Sequence, residues 1–186
     1  MKFRTLLIMS VASILLLAAC DSAKKAGAEA AIKTADTAFS AISGEASKYV
    51  PDQTKAVQDS LTAAKTSLTN GDYEAALTSA KDLPGKISDL ATAVKAKKDE
   101  LTAQWTSMSG TLPKNLEEIQ AKVATLTKTH HLPAGAGDKL VAVQQMWTDA
   151  SSAFTGGNLT DAMAKANEVK DSLFSLRTML NMKPAV

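Results

Sequence analysis

The chain has 186 residues, 45% of them hydrophobic, only 4% aromatic and 22% charged. Its 21 basic and 19 acidic residues nearly cancel, which argues against the clustered basic face that a nucleic-acid partner requires. A single cysteine excludes an intrachain disulfide, and two histidines leave the usual catalytic inventory thin. A body rich in Ala, Lys, Asp, Ser and Thr favours slim helices over a thick β core, so stability has to come from helix packing.

Lys2 and Arg4 open the chain with positive charge. Leu6 to Leu17 follow as an apolar run interrupted only by Ser10 and Ser13, and Ala18, Ala19 and Cys20 close it. Charge, apolar run and small residues in that order make an export signal over residues 1–19. The run is short of the ~20 residues that a spanning helix needs. In a plain secretory signal Cys20 would be incidental. Leu17-Ala18-Ala19-Cys20, however, resembles the lipobox of bacterial lipoproteins, and the resemblance covers residues 1–22. It implies cleavage before Cys20, a thioether-linked diacylglycerol on its sulfur and a further acyl chain on its amine. Two or more chains anchor stably where one holds only marginally. Cys20 is then the lipid attachment and not a nucleophile. Asp21 resembles the residue that keeps enteric lipoproteins in the inner membrane, which favours that membrane's periplasmic face, with the outer membrane as the alternative. Loss of the signal removes Lys2 and Arg4 and leaves 19 basic against 19 acidic residues.

Residues 20–27 are expected to be the lipidated cysteine and a short link, whose seven residues after Cys20 reach at most ~25 Å. Six helices are expected beyond it from the 3.6-residue spacing of apolar side chains. The first carries Ile32, Ala35, Phe39, Ile42 and Ala46 and stops near Pro51. The second carries Val57, Leu61, Ala64 and Leu68 and stops at Asn70-Gly71. Asp72 caps a third, with a seam from Tyr73 through Ala76, Ala80, Leu83, Ile87, Leu90 and Val94 to Trp105 and Met108. Pro84 should bend or break this helix, and Ser109-Gly110-Thr111 should end it. A fourth carries Leu116, Ile119, Val123 and Leu126, with Pro113 in its first turn, and His130–Gly137 is a loop. The fifth carries Leu140, Val143, Trp147, Ala150 and Phe154 and ends at Gly156-Gly157. Asn158 caps the sixth, whose seam runs Leu159, Ala162, Ala166, Val169, Leu173, Leu176 and Leu180.

The second and third of these helices align without a gap on the fifth and sixth at an offset of 86 residues. Ala56-Val57-Gln58 falls on Ala142-Val143-Gln144, Thr69-Asn70-Gly71 on Thr155-Gly156-Gly157, and Ala76 on Ala162. A shared glycine turn at a shared offset points to duplication. The expected fold is all-α: two consecutive three-helix units, 28–109 and 110–183, or one elongated six-helix bundle. Asn70-Gly71-Asp72-Tyr73-Glu74-Ala75-Ala76-Leu77 resembles the hairpin turn of tetratricopeptide repeats, where glycine relieves the turn and a small residue lets two helices approach. The period of 86 and the replacement of Tyr73 by Leu159 in the second copy restrict that resemblance to the turn itself.

His130-His131 is the only histidine cluster and therefore the weak candidate for a metal site, but two adjacent imidazoles cannot complete a four-ligand shell. Glu117 and Glu118 differ by ~100° around a helix and cannot flank one substrate atom. Lys95, Lys97, Lys98, Asp99 and Glu100 form a solvated face, while Trp105 and Trp147 are expected to fill the core. With no phosphate loop, nucleophile elbow or zinc-protease signature, the sequence favours a non-enzymatic, membrane-anchored envelope lipoprotein without a cofactor. Its partner would be another envelope protein; the alternative is a periplasmic sensor of a small ligand or metal.

Overall fold

The computed structural model describes the backbone of residues 2–183 and the side chains of residues 21–183, so the lipobox and Cys20 lie outside the fully described residues. The chain is all-α. Among the described residues five helices follow in order: α1 (Lys2–Tyr49), α2 (Pro51–Thr69), α3 (Tyr73–Lys128), α4 (Ala136–Thr155) and α5 (Leu159–Met179). No strand occurs among the described residues. The expected count of six is corrected to five, because the third and fourth expected helices are the single 56-residue α3.

Two compact units divide the chain, Met1–Lys95 and Ala96–Val186, and α3 contributes to both. In unit 1, α1 packs on α2 through Ile32, Ala35, Phe39 and Ala46 against Val57, Leu61 and Ala64, all buried. The first part of α3 adds Ala76, Ala80, Leu83, Ile87 and Leu90 to this core. Lys24 Nζ meets Glu74 Oε2 at 2.8 Å, and Lys86 Nζ donates to Ser60 Oγ at 2.9 Å. In unit 2, α4 packs on α5 through Leu140, Val143 and Ala150 against Ala162, Ala166, Val169 and Leu173. The remainder of α3 buries Leu101, Trp105, Leu112, Leu116 and Ile119.

Three prolines in helical sequence meet different fates. Pro51 sits at the first position of α2, and Val50 before it is non-helical, with φ −140° and ψ 62°. Proline crowds the residue before it out of the α region, and here nothing opposes that. The buried stripe changes phase across this point: three residues beyond Tyr49 comes exposed Asp52, and the next buried position is Thr54. Across Pro84 the stripe keeps its phase, Leu83, Ile87 and Leu90 all being buried. The same holds across Gly110 and Pro113, where Trp105, Leu112, Leu116 and Ile119 stay on one face. A proline inside a helix costs about 3 kcal/mol and a glycine about 1. Breaking phase would expose several leucine or isoleucine side chains worth about 1.5–3 kcal/mol each. Burial wins, so α3 neither breaks at Pro84 nor ends at Gly110, and Pro113 lies in its interior.

Residues 21–27, expected as an irregular link, belong to α1. Ala23, Lys24, Lys25 and Ala26 are good helix formers, Lys25 lies 3.9 Å from Glu29 one turn on, and Lys24 is tied to Glu74. A Cβ on Gly27 would stand 3.9 Å from Leu77 Cδ1, so the stretch lies against α3. As helix, seven residues advance only ~10 Å.

Two outcomes follow from these packing relations. Gly110 has no neighbour within 4 Å of a built Cβ and no positive φ, so Gly110→Ala should raise stability by about 1 kcal/mol in urea unfolding. A glycine that terminated a helix would give a loss instead. Lys24 lowers the Glu74 carboxyl below its ordinary 4.5, first through their hydrogen bond and then through charge. The pair's contribution is therefore complete above that value and is lost as pH falls through the lowered one. The thermal midpoint of Glu74→Gln should fall less steeply than that of the parent as pH is taken below 4.5.

Candidate functional site

Four helix ends share one backbone solution. At the end of α2, Gly71 N–H donates to Leu68 O at 3.2 Å and Asp72 N–H to Ser67 O at 3.0 Å, with Gly71 at φ 81°. At the end of α4, Gly157 N–H donates to Phe154 O and Asn158 N–H to Ala153 O, both at 2.9 Å, with Gly157 at φ 78°. These are Schellman caps, which satisfy the last carbonyls through one left-handed residue. Ala76 and Ala162, five residues past each glycine, are fully buried, so the succeeding helix lies close to its neighbour there. The two turns differ in their side-chain capping. Asp72 Oδ1 accepts from Ala75 N–H at 3.1 Å, as expected. Asn158 occupies the cap position but makes no capping hydrogen bond; its Oδ1 accepts from Thr160 Oγ1 at 3.2 Å.

His130 takes the corresponding position at the end of α3. Its φ is 55°, its N–H donates to Thr127 O, and His131 N–H donates to Leu126 O. The His131 ring donates from Nδ1–H to Thr129 O. Both histidines are thus engaged with the helix terminus, and among the described residues no group of three or more His, Cys, Asp or Glu side chains comes together. The loop is also shorter than expected: Gly135 is the cap residue, at φ 77°, and Gly137 is already in α4. Asn181, at φ 50°, repeats the cap after α5.

Unit 2 holds an aromatic stack. The Trp105 ring is nearly parallel to those of Trp147 and Phe154, with centroids 5.3 and 4.6 Å away. Trp147 and Phe154 are two helical turns apart on α4, or ~10.5 Å, so the indole of Trp105 is inserted between them. Trp105 is buried, whereas its two partners are half-buried. Stacking of this kind adds about 0.5–1.5 kcal/mol beyond area burial and holds α3 to α4.

Beside this core a cleft of about 330 Å³ opens between α3 and α5. Asn167, Lys170, Phe174 and Arg177 bring one stripe of α5 to it, displaced by one position from the buried seam. Ser107, Thr111 and Asn115 bring a polar stripe of α3, with Leu112 and Leu173 beneath. Arg177 is nearly buried, at 8% exposed, and is held from two sides. Its Nη1 donates to Glu118 Oε2 at 2.7 Å and its Nε to Lys183 O at 2.8 Å. Phe174, in contrast, is 63% exposed at the rim.

Sequence reading did not single out this constellation. A second stripe with spacing 3, 4, 3 beside the α5 seam, containing the only arginine after residue 4, was the available signal. Glu118 is the ion-pair partner of Arg177. In the charged run, Lys97 pairs with Glu100 at 2.9 Å and Gln104 donates to the same carboxylate. The chain matches no family model, no curated protein and no solved structure.

Left-handed geometry at the caps yields opposite signs for like-sized changes. Gly71→Ala and Gly157→Ala should each cost about 1 kcal/mol, whereas His130→Gly should gain up to about 1 kcal/mol, all by chemical denaturation. A loss with His130→Gly would assign that ring a packing role that its exposure does not suggest.

Proposed function

We propose that the protein is a bacterial envelope lipoprotein, anchored through Cys20 and favouring the periplasmic face of the inner membrane. Its helical body would be a non-enzymatic scaffold that holds another envelope protein. The anchor rests on Leu17-Ala18-Ala19-Cys20 behind a charged and apolar leader.

The scaffold reading rests on one observation, the recurrence of a helical hairpin with the same turn. Every backbone capping bond of the first turn has its counterpart at an offset of 86, and the buried positions of α2 and early α3 recur in α4 and α5 at that offset, except that Leu61 falls on half-buried Trp147. Ahead of the hairpin, buried Ala28, Ile32, Ala35 and Phe39 correspond to buried Leu112, Leu116, Ile119 and Val123 at an offset of 84. A connection two residues longer in unit 2 accounts for the difference. The reading is that one three-helix module was duplicated, its first helix diverging most in sequence while keeping its inward positions. Repeated helical modules offer broad, stable faces suited to protein partners.

Metabolic labelling with a palmitate analogue should mark the parent, and Cys20→Ser should be unmarked and leave the membrane fraction. Crosslinking in cells followed by capture should recover a specific envelope protein with the parent. Unmarked parent protein would remove the anchor; recovery of no specific partner would remove the scaffold.

A further inference from the structure

We propose that the α3–α5 cleft of unit 2 binds a small amphipathic monoanion, a carboxylate carried on a short aromatic or aliphatic body. The cleft's volume of about 330 Å³ lies in the small-molecule range, and its ligand-facing groups divide into an apolar floor and a cationic side.

Charge sets the sign. No carboxylate lines the cleft, while Lys170 and Arg177 both do. Arg177 is answered by Glu118, and Lys170 makes no ion pair among the described residues. One positive charge is left over, which suits a monoanion.

Hydrogen-bonding capacity sets the polar end. A guanidinium carries five N–H donors, and the bonds from Arg177 to Glu118 and Lys183 use two. Among the described residues no buried side-chain nitrogen or oxygen lacks a partner. Nη2, the one guanidinium nitrogen without a bond, therefore reaches solvent, and the cleft is the space that this side chain lines. Asn115 and Asn167, on opposite walls, add amides that have no intramolecular partner among the described residues. A carboxylate placed between Lys170 and Arg177 would receive charge-assisted hydrogen bonds. Leu112 and Leu173 form the floor, and exposed Phe174 stands where the ligand's apolar body would cover it.

The chemistry belongs to unit 2 alone. At the offset of 86, Asn167, Lys170, Phe174 and Arg177 fall on Lys81, Pro84, Ser88 and Ala91, while buried Val169 and Leu173 between them fall on buried Leu83 and Ile87. The seam is kept and the four cleft positions are not. The exposed ring of Phe174 and the nearly buried guanidinium of Arg177 have no counterpart in Ser88 and Ala91.

The test is a titration of the full-length protein in lipid nanodiscs with 4-phenylbutyrate, followed by methyl-selective ¹H–¹³C NMR. Saturable shifts confined to the Met108, Leu112 and Leu173 methyls are expected, with 4-phenylbutyramide binding about tenfold more weakly. Lys170→Met, at an exposed position, should also weaken binding about tenfold with an unchanged thermal midpoint. Arg177→Lys should weaken it further, read at a temperature where its circular dichroism matches the parent. Equal affinity for acid and amide, no effect of Lys170→Met, or shifts that never saturate or spread equally to Ile87 and Leu90 would overturn the proposal. Tighter binding of a peptide ending in a free Phe carboxylate than of 4-phenylbutyrate would overturn the small-molecule assignment.

Discussion

The apolar stripe of α3 is the constraint on which the rest depends. This helix contains Pro84, Gly110 and Pro113, three residues that penalise a helix interior, yet it runs unbroken from Tyr73 to Lys128. It does so because each interruption leaves the inward-facing series in phase. The backbone penalty is local and amounts to a few kcal/mol, whereas loss of phase would expose every apolar side chain beyond the interruption. Pro51 is the control within the same chain: there the buried series shifts and the helix ends.

Small residues do the complementary work. Ala64, Ala76 and Ala80 in unit 1, and Ala150, Ala162 and Ala166 in unit 2, are essentially inaccessible to solvent. Methyl groups at these positions let helices approach closely, and the Schellman turns at Gly71 and Gly157 bring the chain back at the required separation. Narrow seams bury little surface per residue, which gives the few large side chains disproportionate weight. Trp105 between Trp147 and Phe154 is the largest such contribution in unit 2.

The α3–α5 cleft is where unit 2 departs from a plain bundle. A nearly buried arginine held by Glu118 and the Lys183 carbonyl is an expensive way to close a helix pair when leucine would pack without desolvating a charge. That cost, and an exposed phenylalanine beside it, favour a role in recognition over one in stability. Such a role is compatible with the proposed anchored scaffold, since it places a ligand site on a body whose remaining surface is left for a partner.

By itself the sequence determined the all-α class, the buried seams and the turns at Gly71 and Gly157, because apolar periodicity and glycine punctuation are local properties. The continuity of α3 is nearly legible too, since Trp105, Met108, Leu112, Leu116 and Ile119 hold one phase across Gly110, and this longer periodicity overrides the local stop signal of Ser109-Gly110-Thr111. Residues 21–27 are helical through local helix formers such as Ala23 and Ala26, and the Lys24–Glu74 pair and the approach of Leu77 to Gly27 add contacts some fifty positions away that no window along the chain contains. The His130-His131 pair suggests side-chain chemistry in the sequence, whereas the left-handed backbone of His130 at a helix end is what the structure uses. Only the tertiary structure could assemble the cleft. Glu118 and Arg177 lie 59 residues apart, and neither carries a signal until α3 and α5 are packed side by side. Periodicity specifies which face of a helix turns inward, but which two helices then meet, and what their flanking residues enclose, is decided by packing in three dimensions.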